Sequence, residues 1–317
     1  MSVLSVSHTD LDGISCQFVL NETFGSITNM NISYGKIDEY LNVINDHCTR
    51  TNPEKVFITD LSFEYHQLEK LSEITQLHLG THFYFIDHHP FEEEYSHLVR
   101  GNFTILITSK ASATKLTYLF CKANFNLDNK DLLQYVEYVN AYDIWLEDTP
   151  EFKVGFVYNE LFWTYRMNHY RNRFNGDYKL RNKDKEYYKE LMVKKVKTFG
   201  KLEKSGKLFR LGDNDIFMVF TDDFRSHITI DYPDFKVYVI FSSYGTISVR
   251  LRDDIPNYKQ MKENVVKKME GHKNVISAGG HDKAFGITLN TVEPGDLILI
   301  AKELLGIIDN ELDLQKG

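Results

Sequence analysis

Phe83-Tyr84-Phe85-Ile86-Asp87-His88-His89-Pro90 is the stretch on which the reading of this chain turns. Four apolar, β-prone residues run into an aspartate and two histidines, and a proline then ends the extended segment. Carboxylate and imidazole together at the C-terminal edge of a strand suit a divalent cation, because open α/β sheets bind ligands at that edge. Other strand-like runs of the chain also lead into aspartates, which turns a single suggestive triplet into a pattern.

Val3 to Ser7 reads as a strand running into His8-Thr9-Asp10-Leu11-Asp12-Gly13, with a helix opening at Ile14. In an extended turn Asp10 and Asp12 point the same way and offer oxygens to neighbouring cations, while Gly13 permits a tight strand-to-helix turn. The competing reading is an N-cap aspartate with a turn partner. Met30 to Tyr34 is a second strand and residues 36–50 a helix. Lys55-Val56-Phe57-Ile58-Thr59-Asp60 is a buried-type strand ending in aspartate, and residues 64–79 are helical by the spacing of Leu68, Leu71 and Ile74. Strands alternating with helices at this pace predict βαβ units and a parallel sheet.

Thr104 to Thr108 is a further strand, after which Ser109 is placed to cap a helix from about Ala111 to Phe125. A second helix, from about Asn129 to Ala141, leads to Asp143. A carboxylate at a helix C-terminus opposes the dipole, and a bound cation would remove that conflict. From Asp215 the period returns to strands (216–221, 236–243, 246–251), followed by a helix over 258–271 and a last helix from Pro294. Gly279 and Gly280 read either as a plain turn between strands or as backbone that lets an anion approach beside His281.

The chain has 317 residues and net charge −8, enough for two domains with sizeable cores. The charge is unevenly spread, at −13 over residues 1–163, +10 over 164–210 and −5 over 211–317. An acidic domain followed by a basic segment suggests metals in the first and a polyanion near the second. The segment from Leu161 to Phe174 interleaves aromatics with arginines. It fits stacked bases and held phosphates, and equally a helix with core aromatics and a solvated basic face. No apolar run approaches the roughly 20 residues of a membrane span, and the N-terminus lacks the basic region of a signal peptide. Cys16, Cys48 and Cys121 are scattered and odd in number, as reduced core thiols of a cytoplasmic protein would be.

Taken together, His8-x-Asp10-x-Asp12-Gly13, Asp60, Asp87-His88-His89 and Asp143 resemble, in order, the motifs of the DHH/DHHA1 phosphoesterase family. Ser248-Val249-Arg250 and the Gly279-Gly280-His281 stretch resemble its second domain. Two departures stand out. His8 lies two rather than four residues before the first aspartate, and Ala278 occupies a position usually held by glycine. The resemblance implies an α/β fold in three parts: a parallel-sheet metal-binding domain (1–150) with helices on both faces, a helical connector (151–210), and a smaller mixed α/β substrate-binding domain (211–317). It implies two Mn²⁺ ions, with Mg²⁺ or Co²⁺ as substitutes. Asp60 would bridge them, Asp10 with His8 would bind one, and Asp12, His88 and Asp143 the other. Asp87 would sit beside His88 as a ligand or as a partner orienting its imidazole, His89 would face the substrate phosphate, and Arg250, Gly279, Gly280 and His281 would hold a phosphate or terminal nucleotide. Two such cations make hydroxide available near neutral pH and neutralise phosphate oxygens.

Within that family the length, the His-x-Asp-Leu-Asp-Gly form and the aromatic-basic segment are most similar to the nano-RNase B branch, which trims very short oligonucleotides to mononucleotides. The expectation is therefore a cytoplasmic phosphodiesterase acting on short oligonucleotides, monomeric or a homodimer, with no membrane partner. Hydrolysis of cyclic or linear dinucleotide signals, or of 3′-phosphoadenosine 5′-phosphate, is the first alternative. A nucleotide-binding protein without catalysis is the second.

Overall fold

Continuous apolar runs in the N-terminal half build a five-stranded, all-parallel sheet in the order β2-β1-β3-β4-β5. Its strands are β1 (Val3–His8), β2 (Thr28–Ile32), β3 (Lys55–Thr59), β4 (His82–Asp87) and β5 (Phe103–Ile107). The computed structural model describes residues 2–33, 36–91, 93–205, 208–211, 216–252, 254–281 and 283–314. Tyr34 and Asp215, read above as strand-associated, lie outside the described residues, as does the side chain of His281.

Both faces of this sheet are covered, which is why its strands are apolar throughout rather than alternating. Val56 and Ile58 of β3, with Phe83 and Phe85 of β4, pack in one core with α2 (Ile37–Thr51) and α3 (Tyr65–Leu77). Phe57, Tyr84 and Ile86 point the other way, toward α1 (Leu11–Phe24), α4 (Ala113–Phe125), α5 (Lys130–Asp143) and α6 (Pro150–Phe174). Two turns differ from the sequence reading. The helix opens at Leu11 and not Ile14, so Asp10 is its N-cap, as the competing reading has it, and Asp12 and Gly13 lie in its first turn, not in an extended one. Gly13 is required because a Cβ there would lie 2.5 Å from the His8 carbonyl oxygen. Helix α4 is capped by Ser112 and not Ser109, because Asn140 accepts the Ser112 N–H at 2.9 Å and fixes the turn three residues later.

The chain divides into two units, Met1–Tyr188 and Lys189–Gly317, and helix α7 (Asn182–Lys204) contributes to both. Residues 151–188 therefore group with the parallel sheet. Within α6, Phe162, Tyr170 and Phe174 are core residues, while Trp163 is 61% exposed. The helix breaks at Arg166, whose φ of 61° and ψ of 156° belong to a region that glycine prefers.

The second unit holds a six-stranded mixed sheet, β10-β11-β9-β8-β7-β6, in which only β7 (Ile216–Phe220) and β8 (Val237–Phe241) run parallel. The remaining strands are β6 (Leu208–Leu211), β9 (Thr246–Leu251), β10 (Val275–His281) and β11 (Ala284–Leu289). A short helix α8 (Ile228–Asp231) joins β7 to β8, and one face packs on α9 (Tyr258–Glu270) and α10 (Pro294–Leu314). Gly279 and Gly280 are not a turn: they lie inside β10, paired with Gly286 and Phe285 of β11. Gly280 has φ 132°, and a Cβ there would come within 3.0 Å of the Ala284 carbonyl oxygen, so the close hairpin pairing favours glycine. The three cysteines are free and buried. No helix among the described residues is long and apolar enough to cross a membrane.

Candidate metal centre

The position of the site follows from the connections of the sheet. The crossover from β1 through α1 leads to β2 on one side, whereas β3 leads through α3 to β4 on the other. Adjacent strands whose connections diverge leave a crevice beyond their C-terminal ends. β1 ends there in His8, β3 leads into Asp60, and β4 ends in Asp87 before His88 and His89. Asp143, the last residue of α5, joins them.

His88 is the centre of the cluster. Its Nε2 lies 3.5 Å from Asp60 Oδ1, 3.5 Å from Asp143 Oδ2 and 4.0 Å from Asp12 Oδ2. Donors sharing one ion at about 2.1 Å stand roughly 3–3.5 Å apart, so these separations are close to those of a ligand shell. His8 Nδ1 is 2.9 Å from Asp10 Oδ2, and Asp10 Oδ1 accepts the Gly13 N–H at 3.0 Å. Three overlapping sets could hold a metal ion: His8, Asp10 and Asp60; Asp12, His88 and Asp143; and Asp60, His88 and His89. Asp60 and His88 each belong to two of them. Asp87 orients His89 and not the neighbouring His88 that the resemblance implies: His89 Nδ1 and Asp87 Oδ1 share a 2.8 Å hydrogen bond, while His88 faces Asp12, Asp60 and Asp143. Asp60 adopts φ 56°, a left-handed conformation that aspartate tolerates better than most residues.

The electrostatics of the cluster call for added positive charge. Burial, and then repulsion from Asp10, Asp12 and Asp143, pushes the Asp60 carboxyl well above the usual range. Burial and the charges of Asp12, Asp10 and Asp87 do the same to Asp143. Burial raises Asp12 too, although His88 opposes the shift. Asp10 goes the other way: burial resists its charge, but the His8 ring and the Gly13 N–H hold it well below the usual range. Burial lowers the pKa of His88, whereas Asp87 overcomes burial and raises that of His89. No lysine or arginine pairs with these carboxylates among the described residues; their ionic partners are histidines. Asp60 Oδ2 and Asp143 Oδ2 are buried and accept no hydrogen bond there. An orphaned buried acceptor costs about 1–3 kcal/mol. A divalent cation would relieve both the orphaned oxygens and the mutual repulsion, and oxygen and imidazole donors are the chemistry that such ions take. The residues fit the ion.

Asp12 has a second duty absent from the sequence reading. Its carboxylate accepts the N–H groups of Ala113 at 2.8 Å and Thr114 at 3.1 Å, at the start of α4. The helix N-terminus stabilises its charge and locks α1 to α4 beneath the cluster. The sequence signal was Ser112-Ala113-Thr114 soon after a strand, a helix start that could receive a carboxylate. Arg250, Gly279, Gly280 and His281 belong to the second unit. There Ala284 of β11 pairs with Arg250 of β9 on one side and His281 of β10 on the other, which sets all three in one row across the sheet.

No family model matches the chain. The chain is 29% identical over 230 residues to the 3′,5′-cyclic-nucleotide phosphodiesterase of Helicobacter pylori (strain ATCC 700392 / 26695), an alignment covering 68% of this chain and 62% of that protein. The chain thus spans about three-fifths of that relative's length. Two solved structures share the fold along nearly the whole chain. An uncharacterized protein from Helicobacter pylori G27 aligns with TM-score 0.51 and 19% identity, covering 96% of this chain and 99% of its own. The pGpG-specific phosphodiesterase of Vibrio cholerae aligns with TM-score 0.52 and 14% identity, covering 98% and 100%.

Proposed function

We propose that this chain is a metal-dependent phosphodiesterase of the DHH/DHHA1 type, acting in the cytoplasm on very short linear nucleotides. The observation that carries the reading is the buried meeting of His88 with Asp12, Asp60 and Asp143, a carboxylate-rich cluster to which no lysine or arginine brings charge among the described residues. A purely nucleotide-binding protein has no use for such a concentration of buried acid. The likeness to a named phosphodiesterase at 29% identity supports the same class.

In this reading the division of labour follows the geometry. His8 and Asp10 with Asp60 form one ligand set, and Asp12 and Asp143 with His88 form the other. Asp60 is the shared member. When bound, divalent cations, of which Mn²⁺ best suits mixed oxygen and imidazole donors, withdraw charge from a phosphodiester and acidify water. His89, held by Asp87, is turned to present its other ring nitrogen to a phosphate oxygen and to hold a proton there. Arg250, Gly279, Gly280 and His281 of the second domain are the residues we propose to bind a phosphate or terminal nucleotide. The nano-RNase B branch remains the nearest functional type, with oligonucleotides of two to five residues as substrate.

A second reading, cleavage of a 3′,5′-cyclic nucleotide, is favoured by the name of the Helicobacter pylori relative. One experiment separates the two: release of mononucleotide from a linear dinucleotide, a 20-mer, a cyclic dinucleotide and a 3′,5′-cyclic mononucleotide, each with Mn²⁺. Turnover of the linear dinucleotide is the expected result. Turnover of the 20-mer alone defeats the proposal, and turnover of the cyclic mononucleotide alone selects the second reading.

A further inference from the structure

Among the described residues, two arginines of the first unit are half-buried, Arg171 and Arg173. Arg173 is neutralised by Asp177 and Asp184. Arg171 has no carboxylate partner among the described residues. Its Nη2 donates to two neutral oxygens, Gln17 Oε1 at 2.5 Å and Asn31 Oδ1 at 2.9 Å. Its Nε is buried without a partner and its Nη1 makes no hydrogen bond among the described residues. A desolvated charge normally has a counter-ion.

The surroundings hold this cation in place instead of neutralising it. Gln17 Nε2 donates to the Met30 carbonyl at 3.2 Å, and Asn31 Nδ2 donates to the His8 carbonyl at 3.0 Å. Each amide nitrogen is thereby engaged, so each amide turns its oxygen to the guanidinium. Asn31 lies near the C-terminal end of β2, where Ile32 pairs with His8. A single side chain therefore separates Arg171 from the residue that begins the metal-binding turn. The chain accepts backbone strain upstream of it: Arg166, at φ 61° and ψ 156°, breaks α6 and redirects its last turns. Tyr170 and Phe174 then enter the core while Arg171 reaches Gln17 and Asn31.

We propose that Arg171 binds a phosphate of the substrate other than the one attacked, the terminal 5′-phosphate of a short oligonucleotide. The inference rests on the phosphodiesterase reading and adds a specificity-determining residue to it. With Nε sealed in the interior and Nη2 spent on Gln17 and Asn31, the two N–H groups of Nη1 are the donors left for a phosphate oxygen, and they carry the guanidinium charge with them. The attacked phosphate belongs to the metal cluster, and a second phosphate needs a cation outside it. Arg171 supplies one on the β2 side of the same sheet edge.

The test compares a 5′-phosphorylated guanine dinucleotide with its 5′-hydroxyl form, using wild type, Arg171→Gln and Arg171→Lys in the full chain with Mn²⁺. The wild type is expected to show a KM lower by at least about tenfold for the phosphorylated form, a preference that shrinks to within about twofold in Arg171→Gln and stays intermediate in Arg171→Lys. A structural lesion lowers both substrates together and leaves the preference intact. A wild type without the preference, or an Arg171→Gln variant that keeps it, overturns the proposal. Calorimetry on EDTA-treated protein with guanosine 5′-monophosphate and guanosine gives an independent readout. If the wild type cleaves neither dinucleotide, the phosphodiesterase reading fails, and the calorimetric preference for the monophosphate still decides the role of Arg171.

Discussion

Asp60 bears the greatest demands of any side chain in the cluster. Its backbone is left-handed, its N–H is spent on the Ile86 carbonyl at 3.1 Å, and its carboxylate belongs to two ligand sets. With cations bound it would be the keystone, and without them it is a buried charge among like charges. Asp60→Asn should therefore act in opposite directions on activity and stability. Mn²⁺-dependent turnover should fall by more than the roughly 10–100-fold that loss of a supporting residue costs. The EDTA-treated variant should be more stable than EDTA-treated wild type by about 1–2 kcal/mol, because the amide removes the repulsion from Asp10, Asp12 and Asp143. Urea denaturation with EDTA and calorimetric Mn²⁺ titration check the two halves. A variant that binds Mn²⁺ as wild type does would remove Asp60 from the ligand set.

At the scale of elements, close helix contacts and one ion network position the supports of the site. α5, which ends in Asp143, meets α6 at Gly155, where a Cβ would lie 2.0 Å from the Tyr138 carbonyl oxygen. Gly155→Ala should separate the two helices and cost about 1–3 kcal/mol, measured by urea denaturation. The bent end of α6 is tied to α7 through Asp184, which accepts from Arg173, the Tyr165 hydroxyl and the Arg181 N–H. Burial resists its charge, but these donors outweigh burial and hold its carboxyl below the usual value. Unfolded aspartate titrates near about 3.9, so the stabilisation is complete above that value and lost as pH falls through the lower folded value. Asp184→Asn should destabilise by about 2 kcal/mol near neutral pH, with the deficit shrinking as pH falls below about 4. A deficit that grows in acid would contradict this account. How much could be read in advance also divides at this scale. The strand ends at His8, Asp60 and Asp87 are legible because a buried strand is a continuous apolar run with a definite end. The grip of Asp12 on Ala113 and Thr114 spans 101 and 102 residues, and that of Arg171 on Gln17 spans 154. Periodicity tells which face a residue occupies and not which distant group it meets. The passage of β10 through Gly279 and Gly280 was read as a turn between strands because two glycines signal a turn locally, whereas pairing with β11 decides the outcome.

For the whole molecule, the acidity of residues 1–163 and the burial of its carboxylates predict a stability that depends on ions in solution. Removing divalent cations with EDTA should lower the thermal midpoint. Restoring Mn²⁺ to about 100 times its dissociation constant should return about 2.7 kcal/mol per site. Calorimetric scans with graded Mn²⁺ check this, and a midpoint indifferent to the ion would argue against a resident metal. The buried thiols make that dependence visible residue by residue. Cys16 sits on α1, with its sulfur 3.6 Å from Thr114 Oγ1 on α4, whereas Cys48 sits on α2 across the sheet. Burial pushes both thiols up, Cys48 to about 11 and Cys16 well above its usual value, so alkylation of either is expected to wait on local opening. The pair is thus a built-in clock for breathing of the two sheet faces: stripping the cations should hasten alkylation of Cys16 by iodoacetamide while leaving the pace at Cys48 nearly untouched, and equal acceleration at both would mean that the ions brace the whole sheet and not one side of it.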